Sequence, residues 1–76
     1  MDFNKFKENF AEALEIEETD NLAEAVEFRQ LSEWGSLAML SLISMLDDEY
    51  DIQIETPELK KLITLGDLFN YVQAHK

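Results

Sequence analysis

Residues 36–50 read SLAMLSLISMLDDEY, and their pattern decides the fold. Met39, Leu42, Ile43, Leu46 and Tyr50 recur at helical spacing and form one apolar stripe. Leu37, Leu40, Ser41, Ser44, Asp47 and Asp48 form a second face, apolar at its start and acidic at its end. Ser36 is a residue type preferred at helix N-caps, and Gly35 before it is expected to let the chain turn sharply. A helix with such a stripe must bury it against neighbours, and the flanking sequence supplies them.

Upstream, Phe3, Phe6, Phe10 and Leu14 share one helical face, with Asp2 placed to cap the first turn. Downstream, Ile52-Gln53-Ile54 alternates like a short extended linker, and Thr56-Pro57 reads as a cap followed by proline at the first helical position. That opens a short helix carrying Leu59, Leu62 and Ile63. Thr64 with Asp67 three residues on resembles a capping box, and Leu65, Leu68, Phe69 and Val72 give the last helix its buried stripe. Between Glu15 and Gly35 the period weakens. The apolar residues there (Ile16, Leu22, Val26, Phe28, Leu31, Trp34) predict a segment pinned across the bundle, with a turn or two of helix from Leu22 capped by Asn21. The expected fold is all-α, a single domain over 1–76 with three main helices, one short helix and a long first loop.

Composition narrows the function. The 76 residues include 17 Asp+Glu against 6 Lys+Arg, for a formal net charge of -11, and 46% are hydrophobic. That apolar share favours a folded domain over an acidic disordered tail. Every acid except Asp2, Glu58 and Asp67 lies between Glu8 and Glu55, where Arg29 is the sole base. Such a field repels nucleic acid, which needs a basic stripe, and speeds encounters with basic protein surfaces. No run approaches the roughly 18 apolar residues of a membrane span. The opening MDFNKFKENF carries acids and no apolar run, unlike a signal peptide, and the absence of Cys suits a reducing compartment. A cytoplasmic location is expected.

No self-sufficient catalytic set is visible. The one His, His75, is penultimate, where fraying is expected, so a Ser–His relay lacks its base. Nothing sets a carboxylate in an apolar pocket, and no glycine-rich phosphate loop occurs. Asp47, Glu49, Asp51, Gln53, Glu55 and Glu58 match the ligand positions of a 12-residue calcium loop, but Ile52 stands where its sharp turn requires Gly. The expectation is that the chain is not an enzyme and has no dedicated metal site. The informative site is Trp34-Gly35-Ser36-Leu37, a hydroxyl placed after a long loop and before a helix with an apolar, then acidic, outer face.

Here the sequence resembles the acyl carrier proteins, whose signature is Asp-Ser-Leu opening the second helix of a four-helix bundle. Gly35-Ser36-Leu37 stands in that place, and the likeness continues through Leu40, Leu42, Ile43, Leu46, Asp47-Asp48-Glu49, Tyr50, Ile54, Leu62, Thr64, Leu65 and Tyr71. The first helix and loop agree only in length and pattern. Trp34, the Ser41-Leu42-Ile43 run and Leu65-Gly66-Asp67-Leu68 are more similar to stand-alone, pathway-dedicated carriers.

The resemblance implies a fold and a role. The fold is the acyl-carrier-protein-like bundle. A phosphopantetheinyl transferase would attach 4′-phosphopantetheine from coenzyme A to Ser36, and the arm would carry acyl or aminoacyl groups as thioesters. Leu37 and Leu40 would grip partner enzymes (loading ligases, acyltransferases or synthases), and Asp47 and Asp48 would pair with their basic patches. A small carrier serving several partners is expected to be monomeric. The departure is Gly35, where the family usually has an Asp associated with recognition by the transferase. The competing expectation is a carrier-like acidic interaction module that is never pantetheinylated.

Overall fold

The computed structural model describes residues 2–17 and 19–75. Four α-helices follow one another: α1 (Phe3–Ala13), α2 (Ser36–Tyr50), α3 (Thr56–Lys60) and α4 (Leu65–His75). Among the described residues a single 3-10 turn, Phe28–Gln30, interrupts the long first connection. The radius of gyration is 11.0 Å, close to the roughly 11 Å expected of a packed chain this long.

The three main helices form because their apolar positions fall on one side. Phe6 and Phe10 of α1, Leu42 and Leu46 of α2, and Leu65, Leu68 and Val72 of α4 are fully buried. Aromatic rings join them: Phe69 lies edge-on to Phe3 at 5.3 Å and tilted to Phe6 at 5.5 Å, and Phe6 lies 5.9 Å from Tyr50. The Tyr50 hydroxyl accepts a hydrogen bond from Asn9 Nδ2 at 2.9 Å, which ties the end of α2 to the middle of α1. Met39 and Ile43, expected in the core, are half-buried, whereas Met45 is buried. The buried sector of α2 is therefore rotated toward Met45 relative to the expected stripe.

Helix ends follow local chemistry. Asp2 accepts from the Asn4 amide at 3.1 Å, the expected cap. α1 stops where Glu15 turns left-handed (φ 58) and Ile16 N–H reaches back to the Ala11 carbonyl at 2.8 Å. α2 stops likewise at Asp51 (φ 57), after which Ile52 N–H bonds to the Leu46 carbonyl and Ile52 and Ile54 drop into the core. In α3 the capping position is Glu55, one residue before the expected Thr56, and the helix ends at Lys60. Ile63 consequently lies beyond α3 and is 49% exposed.

The long loop corrects one expectation. No helix starts at Leu22, and Asn21 is exposed without capping one. The physical reason is that the backbone there serves α4 instead. The Glu24 carbonyl accepts from Gly66 N–H at 2.9 Å and the Val26 carbonyl from Leu65 N–H at 2.8 Å, beside an isolated bridge between Glu27 and Thr64. These bonds fill the first amides of α4, which no residue of the helix itself can reach. Asp67 N–H bonds to Thr64 Oγ1 at 3.1 Å, while Asp67 Oδ2 accepts from the Thr64 and Ile63 amides at 3.2 Å each. The capping box read from Thr64 and Asp67 is thus formed. Leu22 and Phe28 fix the rest of the loop by burial.

Candidate functional site

The segment leading to Ser36 is held by aromatic packing. Phe28 lies edge-on to Phe10 of α1 at 6.3 Å, and Trp34 lies edge-on to Phe28 at 5.3 Å. Trp34 N–H also bonds to the Leu31 carbonyl at 3.0 Å. This train of three rings fixes the chain two residues before the hydroxyl of interest.

Ser36 is not the cap of α2 but its first helical residue. The capping position belongs to Gly35, whose carbonyl accepts the first intrahelical bond, from Met39 N–H at 2.9 Å. Gly35 is extended (φ -174, ψ -173), a conformation open to any residue, and a Cβ there would meet nothing within 4 Å. Glycine's special freedom is therefore not what turns the chain. Without a side chain at 35, no side-chain hydrogen bond caps α2. Its first-turn amides have no side-chain acceptor, and Ser36 beside them is exposed.

The contrast with α4 is chemically telling. There the loop carbonyls and Thr64 Oγ1 satisfy the first turn. At α2 the same groups are left to solvent or to an incoming acceptor, and the positive end of the helix favours an anion. A phosphate ester on Ser36 would sit at this end. The residues present suit that group: an exposed hydroxyl, open amides and no acidic side chain in the first turn to repel it.

Down the outer face of α2, Leu37 is 81% and Leu40 59% exposed, and Ser44, Asp47, Asp48 and Glu49 are exposed as well. Exposed apolar side chains within one turn of the exposed Ser36 hydroxyl, followed by carboxylates, give a surface that is apolar at one end and charged at the other. Together with Ile63 they are the exposed large hydrophobic residues among those described. Ile63 went unread as a surface residue because the short helix was expected to extend through it.

A groove of about 660 Å³ runs between α1 and the outer part of α2, lined by Lys5, Asn9, Glu12 and Ala13 on one side and by Leu37, Leu40, Ser41, Ser44, Met45, Asp48 and Glu49 on the other. The calcium-loop pattern is not assembled: Asp47 and Glu49 lie within α2, and among the described residues no group of three or more carboxylate or imidazole side chains is gathered. His75 stacks on Tyr71 at 4.0 Å, with Nδ1 2.9 Å from the Tyr71 carbonyl, at the far end of α4. No described helix is long and apolar enough to cross a membrane.

No protein-family model matches the chain. Individual relatives do. An acyl carrier protein of Clostridium acetobutylicum is 35% identical over 75 residues, covering 99% of this chain and 96% of that protein. An acyl carrier protein of Lactobacillus acidophilus is 30% identical over 74 residues, covering 97% and 91%. With four helices in the expected order and relatives matched end to end, the chain belongs to the acyl carrier protein family.

Proposed function

We propose that Ser36 carries a 4′-phosphopantetheine arm transferred from coenzyme A. The chain is a carrier and not an enzyme, as its family membership implies. The observation that carries the finer reading is the pairing of an exposed Ser36 with an uncapped helix N-terminus, which suits a phosphodiester. In the attachment step the Ser36 oxygen attacks the phosphorus that bears the pantetheine. The pyrophosphate P–O bond breaks, adenosine 3′,5′-bisphosphate leaves with the electron pair, and the hydroxyl proton passes to a base of the transferase. That division of labour suits a chain with no Cys and one terminal His.

Once attached, the arm supplies a thiol that holds an acyl or aminoacyl group as a thioester. Leu37 and Leu40 anchor loading ligases, acyltransferases or synthases by apolar contact, and Asp47 and Asp48 attract their basic patches. The carrier works as a monomer in the cytoplasm. Gly35 favours one competing reading, an acidic interaction module that is never modified.

Intact mass after co-expression with a broad-specificity phosphopantetheinyl transferase separates the two. Addition of one arm to the wild-type chain, absent in Ser36→Ala, supports the carrier reading. No added mass across several transferases overturns it in favour of the unmodified module.

A further inference from the structure

The start of α2 is weakly held from its own side. No residue of the helix before Leu42 is buried: Ser36, Leu37 and Leu40 are exposed, and Ala38 and Met39 are only half-buried. Gly35 brings no side chain to the capping position, and the space where its Cβ would lie has no neighbour within 4 Å. A first turn with neither a side-chain cap nor a buried residue is prone to fraying, because its amides lack partners and its side chains gain little from staying in place. What remains to hold Ser36 is the chain that enters it. There Trp34 is half-buried, with its ring edge-on to Phe28 at 5.3 Å, and Phe28 is fully buried. Resting on the attachment at Ser36 proposed above, we infer that Trp34 is a positioning residue for arm transfer, supplying the hold on the first turn of α2 that a capping side chain at 35 would otherwise supply.

Phe28 and Trp34 are the two ends of one short loop, and their ring contact closes it. Inside, Leu31 N–H bonds to the Phe28 carbonyl at 3.3 Å and Trp34 N–H to the Leu31 carbonyl at 3.0 Å, while Ser32 and Glu33 are exposed. Turn bonds beside exposed residues open easily. The ring contact, passed on through Phe28 to Phe10 of α1 at 6.3 Å, ties the same loop to the core. Without the indole, the entry to Ser36 swings on the turn bonds alone. The Ser36 oxygen has to meet the phosphorus of coenzyme A in line with the leaving group, and a misplacement of about 1 Å can cost on the order of a hundredfold in rate. The indole touches no reacting atom in this scheme. It acts through the backbone of Gly35, on how often the hydroxyl is correctly presented.

The test compares the full-length wild type with Trp34→Ala, Trp34→Phe, Gly35→Asp and the double variant Trp34→Ala with Gly35→Asp. Arm addition from coenzyme A by a broad-specificity transferase is followed by intact mass. Trp34→Ala is expected to lower kcat roughly tenfold, a partial loss of orientation. Its KM for the carrier should change less than about twofold. Trp34→Phe keeps a ring to lay against Phe28 and should recover most of the rate. Gly35→Asp supplies a cap, so adding Trp34→Ala to it should cost less than about threefold. Independently of the arm, hydrogen exchange of the Met39 amide, which closes the first turn on the Gly35 carbonyl, should quicken in Trp34→Ala while that of Leu46 stays as in wild type. Should Trp34→Ala not fold, Trp34→Leu takes its place, since leucine keeps apolar cover on Phe28 without a ring. A wild-type kcat, a loss confined to KM, an unchanged Met39 exchange, or an equal loss in the wild-type and Gly35→Asp backgrounds would each overturn the positioning role alone. A wild-type chain that gains no arm would overturn the attachment and the transfer role together, and the mass shows that case before any variant is compared.

Discussion

The amide of Gly66 donates to the carbonyl of Glu24 across 2.9 Å, so the second residue of α4 is capped by the middle of the long loop. The approach is close: a Cβ on Gly66 would lie 3.1 Å from that same oxygen and 3.2 Å from Glu24 Cβ. Gly66→Ala forces the loop outward and lengthens the bond that holds it. The helix preference for Ala over Gly is worth at most about 1 kcal/mol and is smaller near a helix end. Overpacking costs roughly 1–3 kcal/mol. The net expectation is a loss of about 1 kcal/mol, measured by urea denaturation, with Gly66→Val losing more. An unchanged or raised midpoint for Gly66→Ala would show that the loop yields freely.

That contact also marks where the sequence stops being legible. The amphipathic period of α1, α2 and α4, the cap at Asp2 and the box at Thr64 and Asp67 are local, and each was readable from spacing. The seating of residues 19–35 was not, because it rests on Glu24 and Val26 backbone carbonyls meeting amides some forty residues away. Backbone carbonyls are the same in every residue and leave no pattern. Asn21 followed by Leu22 looked like a helix start, and tertiary hydrogen bonding overrode it. At the candidate site, the exposure of Leu37 and Leu40 was legible from residue type and face, whereas Ser36, expected as the cap, is the first helical residue. The groove was not legible, since it depends on how α1 lies against α2.

The capping box predicts a pH dependence. The Thr64 amide first, and the Ile63 amide second, hold the Asp67 carboxyl below its usual value of 3.8. A carboxylate depressed in the folded state contributes stability that is fully present above its unfolded value and is lost as pH falls through the lowered folded value. Wild type should therefore melt above Asp67→Asn at neutral pH, and the two should converge in strong acid. Because Asp67 is exposed, the difference is expected to be small. Equal melting temperatures at every pH would mean that the ionised form makes no contribution.

The uncapped start of α2 gives a prediction about Gly35→Asp. The backbone at 35 is extended and a Cβ there meets no neighbour, so the substitution fits without strain. An Asp oxygen would take up a first-turn amide. Replacing a Gly cap by Asp gains only a few tenths of a kcal/mol, so a slight rise in melting temperature is expected. The larger effect should be on modification, since the variant restores the Asp-Ser-Leu signature usual in the family. Faster arm transfer by a broad-specificity transferase, at unchanged Ser36, is the outcome to look for. If wild type and variant are modified at equal rates, Gly35 does not limit recognition.

On the proposed reading, the outer face of α2 separates grip from steering. Leu37 and Leu40 are exposed, so Leu37→Ala and Leu40→Ala should shift stability by no more than about 0.5 kcal/mol. Each should nevertheless weaken loading by a partner enzyme, chiefly through faster dissociation of the complex. Asp47→Lys with Asp48→Lys should act on the other kinetic constant. Both carboxylates are exposed, and their attraction to a basic patch operates over about 10 Å at 0.1 M salt. The double variant should slow association at low salt and flatten its dependence on ionic strength, leaving dissociation less affected. Stopped-flow association measured across a salt series distinguishes the two classes. A leucine variant that lost association rate, or a lysine variant with the wild-type salt slope, would show that the face is not divided between anchoring and steering in this way.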